Sequence, residues 1–335
     1  MGIMVDGVWH TDEAPLADAK TGRYVRKESA FRNWVTADGS AGPKTESGLG
    51  GEGGFQAEPD RYHLFVSISC PWAHRTRLVR AIKQLDGLVG VSIAAPRRSE
   101  KGWIFEQDGP YTDPLYGLET LHTLYSRTDP NYSGRVTVPV LWDKQRETIV
   151  NNESSEIIRM FNDAFVALAP ASPDLYPAEL RDEIEAVNAR TYEGLNNGVY
   201  RAGFATTQEA YEEAAWQVFE TLDWMEERLS RQRYLAGDRL TLADWRAFPT
   251  LVRFDCAYVG AFKCNLRRLV DYPNLWGYAR ELYQMPGVAE TVDTDLFKRG
   301  YYSISHLRNP TGIVPIGPEL DFTGPHGRDR LAAAA

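Results

Sequence analysis

The sequence predicts an α/β plus all-α protein: a small mixed sheet of order β-α-β-β-β-α, then a domain made only of helices. Three observations predict it. Strand-length apolar runs alternate with helical periodicity from Arg61 to about residue 165. Beyond about residue 175 only the helical periodicity remains. The length of 335 residues exceeds one small domain and suits two. The boundaries read as an N-terminal extension with a Gly-rich loop over 1–60, the sheet domain over 61–165, the helical domain over 175–310 and a C-terminal tail over 311–335.

Each element has its own signal. Tyr62 to Ile68 reads as a buried strand, and Pro71 to Leu85 as a helix with Leu78, Val79, Ile82 and Leu85 on one face. Leu88 to Ala94 is a second strand, parallel to the first because a helix joins them. A long insertion follows, holding Trp103 and a short helical stretch from Gly117 to Arg127. Val136 to Trp142 and Glu147 to Val150 are two more strands, joined by a turn through Asp143 to Arg146. Asn152-Glu153-Ser154-Ser155-Glu156 opens another helix, since Asn and Ser cap helices and acidic groups favour the first turn. The sum is the thioredoxin-like order.

Pro139 falls inside a strand that should be central or nearly so. A proline there removes a ladder donor and marks an edge, a bulge or a cis bond. In a thioredoxin-like fold a cis proline beside the active site is the expected device, turning the Val138 backbone toward a peptide-like ligand. In the second half, Ala178 to Asn196, Gln208 to Leu229, Thr241 to Val259 and Pro273 to Gln284 read as helices. Thr241-Leu242-Ala243-Asp244 is a capping-box variant rather than a catalytic hydroxyl–carboxylate pair. The chain after Gln284 reads as Pro-rich coil, and its ending, Arg330, Leu331 and four alanines, as frayed.

The chemistry concentrates on Cys70, in Ser67-Ile68-Ser69-Cys70-Pro71-Trp72-Ala73-His74-Arg75, where the first strand meets its helix. A thiol at a helix N-terminus faces unpaired backbone N–H groups and the positive end of the dipole, and both favour the nucleophilic thiolate. Pro71 suits the first helical position, where its missing donor costs nothing. His74 and Arg75, within one turn, are candidates to add positive field. Ala73 stands where a second, resolving cysteine would be, so a disulfide formed here needs an outside thiol.

Composition removes other classes. A net charge of −9 argues against nucleic acid or an anionic membrane as the main partner. Cys70, Cys256 and Cys264 make neither a disulfide framework nor a zinc site, and the six histidines lack ligand spacing, so no metal is expected. Gly48 to Gly54 follows no strand and precedes no Lys-Ser/Thr, so it reads as a surface loop and not a phosphate loop. No apolar stretch approaches a membrane span, the start lacks a signal-peptide pattern, and a reducing cytoplasm is the expected home of a working free thiol.

Five segments carry a resemblance over nearly the whole chain: Ser69 to Thr76, Phe31-Arg32-Asn33-Trp34-Val35, Asn151 to Ile157, Asn197 to Ala205, and Phe262-Lys263-Cys264-Asn265. They look like the glutathionyl-hydroquinone reductases, the Xi class of glutathione transferases. The resemblance implies glutathione as co-substrate, held between Trp103, Val138 and the Glu153-Ser154 pair. It implies an aromatic substrate, a glutathionyl-hydroquinone, against Tyr200, Tyr258 and Tyr301, with Tyr302 as a neighbouring ambiguity for the last. It also implies a homodimer. Where the family usually carries His before Phe-Lys-Cys-Asn, this chain has Ala261.

The implied reaction is reductive removal of glutathione through a Cys70–glutathione mixed disulfide, with Tyr200 or Tyr301 serving the aromatic ring and a second glutathione releasing the oxidised dimer. The main alternative is an omega-like thioltransferase or dehydroascorbate reductase using the same Cys70. A non-catalytic relative would have no need to keep Cys-Pro, Val-Pro and Glu-Ser together. A conjugating transferase activates the thiol of glutathione with a hydroxyl, whereas a cysteine would trap it as a disulfide.

Overall fold

The computed structural model describes residues 2–11, 16–97, 99–303 and 308–331. The chain divides into two units. Met1–Ala14, Glu28–Pro173 and Ser303–Leu307 form the first; Pro15–Lys27, Asp174–Tyr302 and Arg308–Ala335 form the second. The segment 1–60 is therefore shared, with 15–27 belonging to the second unit.

In the first unit a short hairpin, Ile3–Val5 (β1) and Val8–His10 (β2), precedes the main sheet. Tyr62–Ser67 (β3) is buried along its whole length, as a strand covered on both faces must be. It leads into Pro71–Ile82 (α1), and Val89–Ala94 (β4) returns parallel to β3. The insertion contains His122–Thr128 (α2). Val140–Asp143 (β5) pairs antiparallel with β3, and Thr148–Asn151 (β6) with β5, giving the order β4-β3-β5-β6. Ser154–Asp163 (α3) closes the series and packs on α1, which lies against β3. The expected strand over 136–142 begins only at Val140. Pro139 has no N–H for the ladder, and the Val138–Pro139 bond is cis.

A buried polar chain ties β3 to β4 and the insertion. Ser92 Oγ donates to Asp113 Oδ1 at 2.5 Å, so its lone proton is used and it accepts from His63 Nε2 at 2.8 Å. Asp113 also accepts from the Leu115, Tyr116 and Leu118 amides. Burial drives the His63 imidazole down to about 4. The folded state thus binds this proton less tightly than the unfolded chain. The resulting stability is complete above the ordinary histidine value and is lost as pH falls toward the folded one. Urea unfolding at about pH 7 and about pH 4 should show a loss of roughly 3 kcal/mol from this group, and His63→Gln should be less pH-dependent by that amount. Equal pH dependence in both proteins would remove His63 as the cause.

The second unit contains helices and no strand among its described residues. They are Arg181–Thr191 (α4), Gly198–Phe204 (α5), Gln208–Arg231 (α6), Leu242–Leu251 (α7), the single turn Val259–Ala261 (α8), Pro273–Tyr283 (α9) and Thr294–Tyr301 (α10). α6 buries Ala210, Ala214, Val218, Leu222, Met225 and Leu229, a stripe at helical spacing, and packs on α5 and α9. The capping box at Thr241 is present, and the fully buried Asp244 accepts from Thr241, Leu235 and Tyr278, which makes it structural.

Three expectations are corrected here. The helix expected over 241–259 runs through Pro249 but ends at Leu251, and Phe254–Tyr258 then winds in the wider π form. Tyr192–Asn196, at the end of the helix expected over 178–196, is also π-helical, with the Asn197 amide reaching back to the Tyr192 carbonyl at 2.8 Å. The stretch after Gln284 is not all coil, since Asp293 caps α10 by accepting from the Leu296 amide. The four closing alanines lie outside the described residues.

Candidate active site

Cys70 is the N-cap residue of α1, with extended backbone (φ −81°, ψ 120°), and Pro71 is the first helical residue. Its amide donates to the Ser67 carbonyl at 3.2 Å, and its carbonyl accepts from the His74 amide at 3.0 Å. The side chain makes no capping bond and is half-buried. Its Sγ lies 3.5 Å from the Val138 carbonyl oxygen. Ala73, in the resolving position, is buried. Arg75 is buried as well, with its guanidinium over the Trp72 ring at 4.6 Å and Nη1 3.5 Å from Ser154 Oγ. The charge expected to act at the sulfur is therefore also committed to the start of α3.

At that helix start Glu153 is the N-cap residue. Its Oε1 accepts from the Ser155 amide at 3.2 Å and hydroxyl at 2.9 Å, while Oε2 accepts from Ser29 Oγ at 3.1 Å. Ser154 is the first helical residue and is buried, so its amide belongs to the turn where N–H groups have no intrahelical acceptor. The Phe31–Val35 motif braces this place. The Phe31 amide donates to Asn152 Oδ1 at 3.1 Å, the Asn33 amide to the Val150 carbonyl at 2.9 Å, and Arg32 forms an ion pair with Glu156. Trp103 is buried in the insertion, where its carbonyl accepts from the Leu121 amide at 3.0 Å.

The second unit brings the three tyrosines together. The Tyr301 hydroxyl oxygen lies 2.7 Å from that of Tyr200 and 2.8 Å from that of Tyr258. Burial, with the neighbouring Tyr200 and Tyr258, pushes the Tyr301 hydroxyl well above the usual tyrosine value, so it keeps its proton through the neutral range. Phe262 is the hub that sequence reasoning did not single out. Its ring centroid lies 5.3 Å from Tyr200, 5.5 Å from Tyr258 and 5.4 Å from Tyr301. It needs Gly203 beneath it, for a Cβ there would lie 2.2 Å from the ring. The Tyr301/Tyr302 ambiguity resolves in favour of Tyr301 as the cluster member. The Tyr302 hydroxyl instead meets the Ala261 amide, and a Cβ on Gly260 would lie 2.0 Å from it.

Cys256 and Cys264 are buried in the second unit, and burial pushes both thiols up to about 12. Among the described residues no three His, Cys, Asp or Glu side chains gather as a metal set, and no helix is long and apolar enough to cross a membrane.

Comparison with known proteins shows the family. Residues 69–164 match the glutathione S-transferase N-terminal domain and residues 208–281 the glutathione S-transferase C-terminal domain. Over 331 residues the chain is 52% identical to glutathionyl-hydroquinone reductase YqjG of Escherichia coli K-12, covering 98% of this chain and 99% of that one. A Xi-class glutathione transferase from Natrialba magadii superposes with a TM-score of 0.89 at 45% identity, covering 100% of this chain and 98% of the other. The chain belongs to the Xi-class glutathione transferases. The structure of YqjG with glutathione bound matches this Xi-class chain with a TM-score of 0.88 at 51% identity, covering 98% of this chain and 99% of that one.

Proposed function

We propose that this Xi-class transferase reduces S-glutathionyl-hydroquinones to hydroquinones, with glutathione as reductant and a Cys70–glutathione mixed disulfide as intermediate. The observation that carries the reading is the half-buried Cys70 thiol at the start of α1, 3.5 Å from the Val138 carbonyl, with Ala73 in the resolving position. The named activity of the Escherichia coli relative supports it.

In this reading the γ-glutamyl carboxylate takes the Ser154 amide at the α3 N-terminus, Glu153 faces the ammonium, and Val138 pairs main chain to main chain with the cysteinyl residue. Trp103 completes the glutathione site. The Cys70 thiolate attacks the sulfur of the conjugate. A sulfur–sulfur bond forms, and the sulfur–carbon bond breaks with its electron pair passing into the ring as an enolate, whose oxygen takes a proton. Two electrons thus pass from the thiolate to the ring. A bare aryl carbanion is too costly a leaving group, so the carbon is protonated first, through a keto tautomer of the hydroquinone. Tyr200 or Tyr301 is the donor or hydrogen-bond partner, with Tyr258 beside them against the ring. A second glutathione thiolate then attacks the mixed disulfide, releasing oxidised glutathione and restoring Cys70. The proposal extends to a homodimer and a cytoplasmic setting, which the family resemblance and the free thiol support.

An omega-like thioltransferase would share the second half of this cycle. The distinguishing measurement is kcat/KM for glutathionyl-menadiol, hydroxyethyl disulfide and dehydroascorbate with excess glutathione. The quinone conjugate is expected to lead by at least about tenfold. The opposite ranking would overturn the hydroquinone reading in favour of the thioltransferase.

A further inference from the structure

One buried hydroxyl joins the two stretches of backbone that the proposed site assigns to glutathione. Tyr125 comes from α2, in the insertion, and is fully buried. Its hydroxyl donates to the Thr137 carbonyl at 2.9 Å and accepts from the Thr137 amide at 3.1 Å and from Asn152 Nδ2 at 3.2 Å. A phenol has one proton and two lone pairs, so these three shorter bonds use its whole capacity, and the Thr137 hydroxyl, 3.4 Å from both the phenol oxygen and Asn152 Nδ2, adds only a longer contact. Thr137 immediately precedes Val138, and Asn152 immediately precedes Glu153-Ser154.

The consequence for Val138 follows from peptide planarity. The Thr137 carbonyl and the Val138 N–H share one peptide unit, in which they point in opposite directions. Fixing the carbonyl on Tyr125 therefore aims the Val138 N–H. Asn152 cannot drift to compensate, because its Oδ1 accepts from the Phe31 amide at 3.1 Å and its own amide donates to the Phe31 carbonyl at 3.1 Å. The Tyr125 ring is wedged as well, with centroids of Phe31 at 5.7 Å and Tyr132 at 5.1 Å. We infer that Tyr125 is a positioning residue for glutathione, setting the spacing between the Val138 backbone and the Glu153-Ser154 helix start. The inference rests on the reading of those residues as the glutathione site.

The test measures glutathione affinity by calorimetry in a Cys70→Ala background, where no disulfide forms, and steady-state kinetics in the Cys70 protein. Tyr125→Phe is expected to raise the glutathione Kd about tenfold and the KM for glutathione in parallel. Its kcat at saturation and the rate of Cys70 alkylation by iodoacetamide should stay within about twofold. A folded Tyr125→Phe protein with the parental Kd overturns the inference, and so does a fall in kcat with Kd unchanged. Should Tyr125→Phe not fold, Asn152→Ala takes its place. That variant keeps both phenol bonds to Thr137 but cuts the tie to α3, and the same rise in Kd is expected, a parental value again overturning the inference. If the Cys70→Ala parent itself binds no glutathione, it is the site reading that fails.

Discussion

Replacing Cys70 with alanine is expected to lower kcat for a glutathionyl-hydroquinone by about 10⁵-fold, while glutathione affinity changes by no more than a few-fold. The size follows from the role. A nucleophile that forms the covalent intermediate has no substitute, and the buried Cys256 and Cys264 are poor candidates to stand in. With both thiols pushed up to about 12, their thiolate fraction near pH 8 is on the order of 10⁻⁴. Two further readouts follow. Iodoacetamide should label the native protein at Cys70 alone, and the variant not at all. Mass spectrometry of the enzyme mixed with a conjugate, before reduced glutathione is added, should find one glutathionyl group on Cys70. Turnover retained in Cys70→Ala, or the glutathionyl group found on another cysteine, would remove Cys70 from the chemistry.

Features fixed by short-range rules were legible in the sequence. Apolar runs separated by a Cys-Pro helix start showed β3, α1 and β4 and their parallel pairing. The Asn-Glu-Ser-Ser-Glu run showed the start of α3, and Thr241-Leu-Ala-Asp the capping box. Helices were missed where packing overrode composition. α5 carries two glycines, which read as a breaker signal. Gly203 is nevertheless required, because only a residue without Cβ lets the Phe262 ring close over it. α10 was hidden by the Pro- and Gly-rich chain around it, although Asp293 followed by Leu296 and Phe297 is a usable cap-and-face signal.

The candidate residues divide in the same way. Cys70, Val138, Glu153 and Ser154 have local signatures, a proline or a helix cap beside each. Tyr200, Tyr258 and Tyr301 do not, since a tyrosine in isolation reads as core, and these three were reached only through the resemblance. Their convergence depends on two π-helical stretches, one just before α5 and one ending at Tyr258. Each extra residue in such a turn rotates everything after it, and no single-residue propensity announces it. Tyr125 is the same kind of omission. It acts on residues 12 and 27 positions away in sequence, through a hydroxyl whose partners are mostly backbone.

Arg328→Ala is expected to destabilise the protein by about 3–5 kcal/mol, although the sequence places this residue in a tail. Arg328 is only 2% exposed. Its Nε donates to Glu281 Oε2 at 3.0 Å, Nη1 to the Leu229 and Asn274 carbonyls at 3.1 and 3.3 Å, and Nη2 to the Gln232 and Arg233 carbonyls at 3.1 and 2.5 Å. These are five acceptors for five donors. Leu229 and Gln232 sit at the end of α6, where carbonyls have no intrahelical partner and the dipole is negative, so the guanidinium caps that helix. Gly277 on α9 makes room for the tail, since a Cβ there would lie 2.5 Å from the His326 carbonyl. Alanine at 328 would take this donor from the buried Leu229 carbonyl and the half-buried Gln232 and Arg233 carbonyls, and leave Glu281 to Arg233 and Tyr234. Arg330, two residues on, makes exposed contacts to Ser230 and Asn274, and Arg330→Ala should cost no more than about 0.5 kcal/mol. Urea unfolding of the two variants decides the matter. A similar small loss in both would mean that the tail is held elsewhere and that the Arg328 bonds add little to stability.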